Sequence, residues 1–173
     1  MSGTLISRDE YLSTAYEPDC EYVDGELIER NTGEADHSAL QAVMAALLFN
    51  RRREMGIHVF PAVRVQTSAT RFRVPDITVT TQKVRGRILR EPPFLCIEIL
   101  SPEDRASRMQ LKVADYLAFG VKYVWVIDPR TKTAWNYSSD HKAEPTRVLT
   151  TAEPSLTLSL DELFTSIEED IDV

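Results

Sequence analysis

Two acidic residues and a lysine are the side chains of this sequence best suited to chemistry. Asp76 and Glu98 interrupt two apolar segments, 72–80 and 93–100, that read as consecutive buried strands, and Lys112 follows on the next predicted helix. Carboxylates are seldom buried alone, because a desolvated charge without a partner costs several kcal/mol. The pattern therefore indicates a metal ion, a shared proton or a salt bridge.

The spacing of the two acids places them opposite each other in an antiparallel pair. If the two strands form such a pair with Asp76 facing Glu98, Gly86 lies beside the centre of their connection. Opposed Cβ atoms are about 5 Å apart, so two carboxylates there repel unless something positive lies between them. A hard divalent cation with oxygen ligands meets that need.

Lys112 can reach the same level of the sheet. A helix that starts near Pro102 runs back along the sheet by about 15 Å over ten residues, whereas Glu98 lies only roughly 7 Å below the strand end. The lysine side chain leans toward the helix N-terminus and covers the difference. An alternative is a structural network in which Lys112 pairs with Glu98 while Asp76 caps a turn after Pro75. From the residues alone the two interpretations carry equal weight.

The elements that must position these residues follow from local signals. An Asp24-Gly25 dipeptide between alternating residues predicts a two-residue hairpin over 21–30. Ser7 is the predicted N-cap of a short first helix. Ser101-Pro102-Glu103-Asp104 predicts the start of a later helix and Gly120 its left-handed end. Apolar periodicity and turn signals place the remaining elements. They are helices over 7–15, 37–53 and 159–164, strands over 58–66, 71–80, 93–100 and 122–127, and a terminal hairpin over 135–137 and 146–149. The predicted class is a mixed α+β core with additions at both ends.

Composition limits the classes of function. A chain of 173 residues with 43% hydrophobic residues predicts one domain, residues 1–173. The longest apolar runs fall short of the roughly 20 residues that cross a bilayer, and the N-terminus lacks a secretory pattern, so we expect a cytoplasmic protein without membrane contact. The sequence has no CxxC spacing, so we do not expect a zinc site. The net charge of −7 argues against a general polyanion-binding surface, so any nucleic-acid contact must be local.

An ordered set of motifs resembles the Uma-two family of bacterial endonucleases, within the PD-(D/E)XK superfamily. The resemblance runs from the hairpin through His37-Ser38 to Asp128-Pro129. Its central motifs are Pro75-Asp76, the run Ile97-Glu98-Ile99-Leu100-Ser101-Pro102, Lys112, Tyr116, Gly120-Val121, Tyr123 and Trp125. The resemblance implies a restriction-endonuclease-like fold with a central mixed β-sheet flanked by helices. It also suggests a homodimer, because many such nucleases use two subunits, although nothing in the sequence requires one.

The resemblance further implies a site and a cofactor. Asp76 and Glu98 would hold Mg²⁺ or Mn²⁺ with help from the main-chain carbonyl of Ile99. Leu100 stands where the superfamily motif has lysine, so we assign that role to Lys112 on the following helix.

Two further residues are second-rank candidates. Glu26 on the hairpin could add an acid, with Glu21 as a weaker choice, although an exposed hairpin acid is the commoner case. His37 matches a family position at the start of the long helix and could carry a proton or contact phosphate; an ordinary helix-start residue is equally compatible.

The sequence thus predicts a metal-dependent endonuclease that hydrolyses phosphodiester bonds in nucleic acid, with DNA as the expected substrate. Two rivals stay open: a nuclease-like fold that has lost its chemistry and acts as a binding or assembly module, and a structural dimer with a coincidental acid cluster. Metal binding that depends on Glu98 distinguishes the enzyme from the binding module. A metal response and nucleic-acid affinity unchanged in Asp76→Ala would favour the structural dimer.

Overall fold

Strands and helices alternate along the chain in a mixed order. The computed structural model describes residues 5–31, 33–102, 104–139, 143–168 and 171. The helices are α1 (Arg8–Ser13), α2 (Ala35–Met55), α3 (Ala106–Phe119) and α4 (Leu160–Ile167). The strands are β1 (Cys20–Val23), β2 (Glu26–Glu29), β3 (His58–Pro61), β4 (Val65–Ser68), β5 (Arg71–Arg73), β6 (Ile77–Thr80), β7 (Leu95–Ile99), β8 (Tyr123–Asp128), β9 (Thr133–Ser138), β10 (Pro145–Thr146), β11 (Val148–Thr150) and β12 (Thr157–Ser159).

A six-stranded mixed sheet forms the centre, in the order β10-β9-β8-β7-β6-β3. Strands β7 and β8 are parallel, and their neighbours are antiparallel. The apolar side chains of α2 and α4 pack on one face, against residues such as Ile97 and Trp125. Helix α3 packs on the other face through Met109 and Val113. The predicted α+β class, with a central mixed sheet flanked by helices, is confirmed.

The predicted pairing of the two acid-bearing strands is also confirmed. Ile77 faces Ile97 and Val79 faces Leu95 in antiparallel register. The same register places Asp76, directly before β6, opposite Glu98 on β7. Alternate residues point to opposite faces, and Leu95, Ile97 and Ile99 pack in the cluster that includes α2. Glu98 therefore points toward α3.

Two segments predicted as single strands are each divided between two sheets. The predicted strand 58–66 separates into β3 and β4, and the predicted strand 71–80 separates into β5 and β6. Strands β4 and β5 belong to a second sheet of four strands, in the order β2-β1-β5-β4. Pro75 lies at the second break, where its missing N–H suits the end of pairing. Alternation of residue types does not tell which sheet a segment joins, so the sequence did not reveal the four-stranded sheet.

Local signals at the N-terminal end are confirmed. Asp24 and Gly25 join β1 to β2 with φ angles of 52° and 100°, the left-handed pair that a two-residue hairpin turn requires. Ser7 caps α1 by accepting a hydrogen bond from the Glu10 N–H at 3.1 Å. The hairpin fixes β1 beside β5 in the four-stranded sheet.

The predicted helix start at Ser101-Pro102 is wrong. Helix α3 begins at Ala106, with Arg105 as its N-cap; Glu103 of the predicted start lies outside the described residues. The Asp104 carboxylate accepts the Ser101 N–H at 2.7 Å, and the Asp104 N–H donates to the Ser101 carbonyl at 2.9 Å. This reciprocal turn takes the place of the first helical turn. The predicted end at Gly120 is confirmed, with a φ of 105°.

The C-terminal additions pair differently from the prediction. Strand β9 pairs with β10, but β11 leaves it and pairs with β12. The last helix, α4, begins after Ser159 as predicted and packs with α2 on one face of the central sheet. Within the described ranges, no helix has the length and apolarity needed to cross a membrane.

Candidate active site

A small polar cleft opens where the β6 and β7 ends meet the β1–β2 hairpin and helices α2 and α3. Its volume is about 50 Å³. It lies where the register brings Asp76 and Glu98 together. The lining residues are mostly charged or polar: Glu21, Ile28, Glu29, Arg30, Asn31, His37, Asp76, Glu98, Ile99, Ser101, Asp104, Arg108 and Lys112.

Asp76 is held at the edge of the sheet by main-chain and side-chain donors. Its Oδ2 accepts the Ile99 N–H at 2.8 Å, and its Oδ1 lies 3.1 Å from Arg30 Nη2. Its own carbonyl accepts a hydrogen bond from Gln41 Nε2 at 2.8 Å. Burial pushes the pKa of Asp76 upward, but His37 and the Ile99 amide outweigh burial and hold the pKa below its ordinary value. Asp76 is therefore an anion, although only 5% of it is exposed.

Glu98 is more deeply buried than Asp76, and its ionised form is less favourable than that of Asp76. Its Oε2 accepts from Lys112 Nζ at 2.7 Å and its Oε1 from the Tyr116 hydroxyl at 2.5 Å. Burial raises the pKa of Glu98 to about 7, and the negative charges of Asp76 and Glu21 add to that effect against the opposing charge of Lys112. A further positive charge near Glu98 would stabilise its ionised form.

Lys112 bridges two glutamates. Its Nζ lies 2.7 Å from Glu98 Oε2 and 3.1 Å from Glu21 Oε1. Burial lowers the pKa of Lys112, but Glu98 and Glu21 outweigh burial and raise it, so the ammonium stays charged. The structure thus brings the displaced lysine to the two acids, whereas Leu100 joins the apolar cluster under α3. The contact with Glu98 is common to both sequence interpretations, and the role of the lysine stays a prediction.

Glu21, ranked below Glu26 on sequence grounds, is the hairpin acid that reaches the cleft. Its Oε1 accepts the Val74 N–H at 3.0 Å and its Oε2 accepts from Arg73 Nη1 at 2.8 Å. Glu26 is exposed and lies outside the cleft lining. The reason is the position of the strands: β1 lies between β2 and β5, while β2 is an edge strand. Sequence alternation alone could not rank the two acids.

His37 lies beside Asp76, as a residue of the first turn of α2. Its Nε2 is 3.3 Å from Asp76 Oδ2. Its buried Nδ1 has no hydrogen-bond partner within the described part of the chain. Burial lowers the pKa of His37, but the hydrogen bond and charge of Asp76 outweigh burial and raise it. A proton on this ring is therefore stabilised next to the cleft.

Several cleft residues carried no recognised signal in the sequence. Arg30 and Asn31 follow the hairpin, and Asn31 Nδ2 donates to Asp104 Oδ1 at 3.0 Å. Arg108 lies one helical turn before Lys112 on α3 and is exposed at the cleft. Residues three or four apart share a helix face, so the spacing of Arg108 and Lys112 was the available clue. Arg30 and Arg108 add basic groups beside the carboxylates.

The donor set fits a small divalent cation. Asp76 and Glu98 offer carboxylate oxygens, and the Ile99 carbonyl points to the same strand edge as its N–H, which binds Asp76. Within the described residues no three His, Cys, Asp or Glu side chains form a metal-binding group. Magnesium, however, commonly uses one or two carboxylates and completes its shell with water and substrate oxygens. Two carboxylates with one carbonyl therefore match this ion class.

Comparisons with known proteins identify the family of the chain and a similar fold. Residues 8–172 match the family model Uma2, described as "Putative restriction endonuclease". A crystal structure from Anabaena variabilis, described as a "putative nuclease belonging to DUF820", is similar with a TM-score of 0.81 and 25% sequence identity, covering 94% of this chain and 99% of that chain. A search of curated proteins gave no match. Since the family model covers nearly the whole sequence, the chain belongs to the Uma2 family, as the motifs predicted.

Proposed function

We propose that this protein is a divalent-metal-dependent endonuclease that hydrolyses phosphodiester bonds in nucleic acid, with DNA as the substrate. One observation carries the proposal. Two facing strands bring Asp76 and Glu98 to one cleft, and a lysine from another element lies 2.7 Å from Glu98. Two acids and a lysine are the parts that phosphodiester hydrolysis needs: oxygen ligands for a metal and a cation beside them.

Asp76, Glu98 and the Ile99 carbonyl would hold Mg²⁺ or Mn²⁺. When bound, the cation supplies activation of water and stabilisation of charge on the phosphodiester. The protein supports this arrangement by fixing Asp76 through the Ile99 amide and Glu98 through the Tyr116 hydroxyl. Each ligand is therefore oriented before substrate arrives, so less reorganisation is needed during reaction.

Lys112 orients the attacking water and offsets the negative charge that develops on the phosphate. Its ammonium carries three donors. One donates to Glu98 Oε2 at 2.7 Å, and the ammonium also lies 3.1 Å from Glu21 Oε1. The remaining donor capacity is available to a water or a phosphate oxygen. The raised pKa of Lys112 makes it a permanent cation, so its role is electrostatic rather than that of a base.

The cleft also offers groups for the substrate backbone. Arg30 and Arg108 line it and present guanidinium donors, which suit phosphate oxygens. His37 Nε2 lies 3.3 Å from Asp76 Oδ2, and the hydrogen bond and charge of Asp76 raise the pKa of His37 against the effect of burial. It contacts phosphate or hands a proton to the leaving group. Basic groups confined to the cleft supply a local contact in a chain whose net charge is −7.

The test is cleavage by purified protein of supercoiled plasmid and of single-stranded RNA with Mg²⁺ or Mn²⁺. We expect nicking or cutting of DNA, and its loss in Asp76→Asn. Asp9→Asn is the matched control, because the Asp9 side chain is 85% exposed on α1. Full activity in Asp76→Asn would assign the cleavage to another site or a contaminant. Cleavage of RNA alone would overturn the choice of DNA.

A non-catalytic binding module is the second candidate. It is favoured by the fact that each carboxylate oxygen of Asp76 and Glu98 already has a protein partner. Calorimetric titration with Mn²⁺ distinguishes the two functions. Binding that disappears in Glu98→Gln supports the enzyme, whereas no binding at millimolar metal supports the module.

A further inference from the structure

A buried arginine connects the four-stranded sheet to the candidate site. Arg73 on β5 is 2% exposed. Its Nη1 donates to Glu21 Oε2 at 2.8 Å, while its Nε and Nη2 donate to Asp115 Oδ2 at 2.8 and 2.6 Å. A buried guanidinium with two carboxylate partners fixes the relative positions of the elements that carry them. Here those elements are β1, β5 and α3.

Glu21 is saturated by protein donors and faces the lysine. The Val74 N–H and Arg73 hold its two oxygens from one side, and Lys112 Nζ approaches Oε1 at 3.1 Å. Only 3% of Glu21 is exposed. Burial raises the pKa of Glu21, but Lys112 and Arg73 outweigh burial and lower it, so Glu21 is an anion. A carboxylate held in this way is a fixed anchor for an ammonium group.

The second partner of Arg73 lies on the same helix as the lysine. Asp115 and Lys112 are three residues apart on α3 and thus share a face. Through Asp115, Arg73 binds the helical turn that carries Lys112. Arg73 also binds Glu21, which contacts the ammonium of the same lysine. The lysine is restrained at its base and at its tip.

We propose that Glu21 is a positioning residue for Lys112: held by Arg73 and the Val74 amide, it fixes the ammonium beside Glu98, and Asp115 fixes Arg73. This inference rests on the proposed nuclease function. It explains how a lysine on a separate helix serves the site when Leu100 occupies the motif position. The four-stranded sheet then supports the candidate site through one residue, Glu21 on β1.

The outer end of the same network supplies a matched control. Arg71 binds Asp24 at 2.6 Å and Asp115 at 2.6 Å. The Asp24 side chain is 50% exposed and makes no contact with Lys112 in the described structure. Asp24→Asn removes a carboxylate from the network while keeping a residue that tolerates the left-handed backbone at this turn. This variant therefore alters the Arg71–Asp115 side of the network and leaves the contact between Glu21 and Lys112 unchanged.

The activity test compares Glu21→Gln with Asp24→Asn. We expect Glu21→Gln to lower kcat by about 10- to 100-fold, with the KM for nucleic acid and the Kd for Mn²⁺ unchanged. Asp24→Asn should keep the wild-type kcat. If Glu21→Gln fails to fold, Asp115→Asn is the substitute variant. It should also lower kcat and leave the KM for nucleic acid unchanged. A wild-type kcat in Glu21→Gln, or a loss of Mn²⁺ affinity parallel to kcat, overturns the proposal.

A second measurement is independent of nuclease activity. Urea unfolding of wild type, Glu21→Gln, Lys112→Met and the double variant forms a double-mutant cycle. We expect the double variant to shift the unfolding midpoint by less than the sum of the single shifts. Additive shifts overturn the Glu21–Lys112 contact. A non-additive cycle in a protein that cuts no nucleic acid supports the contact and overturns only the nuclease function.

Discussion

Lys112 Nζ lies 2.7 Å from Glu98 Oε2, although the two residues are 14 positions apart and belong to different elements. Helix α3 returns along the sheet face to which Glu98 points. Leu100 occupies the position where the superfamily motif has lysine. The ammonium group near Glu98 comes instead from Lys112 on α3.

Glu98→Gln should weaken metal binding without destabilising the metal-free protein. The variant removes a ligand and should weaken Mn²⁺ affinity by at least about tenfold. It also removes a charge whose buried position raises the pKa to about 7, so thermal stability in chelator at alkaline pH should be equal or higher. Calorimetry and thermal unfolding measure both effects. Glu162→Gln, on the exposed face of α4, is the control; unchanged Mn²⁺ affinity in Glu98→Gln would exclude Glu98 as a ligand.

The stabilising effect of metal should grow as pH rises. Burial, with the nearby carboxylates, raises the pKa of Glu98 from 4.5 to about 7. A group with a raised folded-state pKa stabilises the fold at low pH and loses that contribution as pH rises through the folded value, so metal-free stability should fall between about pH 5 and pH 8. His37, whose pKa is also raised, acts in the same direction.

Metal binding displaces the proton from Glu98, so the Tm increase caused by Mn²⁺ should be small at the acidic end of this range and largest at the alkaline end. Thermal unfolding with and without Mn²⁺ across the range measures it. In Glu98→Gln the metal-free profile should become flatter. A metal-dependent Tm increase that is independent of pH would contradict this prediction.

Lys112→Met should destabilise the protein, because it leaves two buried glutamates facing each other. Breaking a buried ion pair by removing one partner costs about 3 to 5 kcal/mol; the Lys112 side chain is 14% exposed, so we expect a value near the lower end. Adding Glu98→Gln to this variant should restore part of the free energy of unfolding, because one unpaired charge is then removed. Urea denaturation measures the change. Lys122→Met is the exposed lysine control, and a stability equal to wild type in Lys112→Met would contradict the prediction.

Arg30→Gln should increase metal affinity and weaken substrate binding. Arg30 Nη2 lies 3.1 Å from Asp76 Oδ1, and the Arg30 side chain is 24% exposed. A cation at that oxygen competes with a metal ion, and partly exposed ion pairs are worth up to about 1 kcal/mol, so Mn²⁺ should bind up to roughly fivefold more tightly. The KM for nucleic acid should rise because a phosphate donor is lost. Weaker Mn²⁺ binding in this variant would show that Arg30 supports the site instead of competing with metal.

Local signals predicted the parts of the fold that depend on few residues. The Asp24-Gly25 turn, the Ser7 cap and the Gly120 helix end each follow from the conformational preferences of one or two side chains. The register of β6 against β7 also followed from the sequence, because two buried acids and a central glycine restrict it. The sequence therefore predicted that three side chains lie close together: Asp76, Glu98 and Lys112.

Features that depend on tertiary contacts were not predictable. The start of α3 moved from Ser101 to Ala106 because the Asp104 side chain forms a competing turn with Ser101. Glu21 rather than Glu26 entered the cleft because strand order decides which hairpin acid is covered. Arg73 offered a signal in retrospect, since an arginine within a buried strand requires carboxylate partners. Its partners come from distant positions and could not be identified from spacing.

The break between β5 and β6 connects the two sheets directly at the candidate site. Residues 74–76 carry the chain from the four-stranded sheet to the six-stranded sheet, with the Val74 N–H on Glu21 and the Asp76 carboxylate on the Ile99 N–H. Tilting one sheet against the other would separate these two contacts, so the docking angle of the sheets sets the distance between the lysine anchor and the metal ligands.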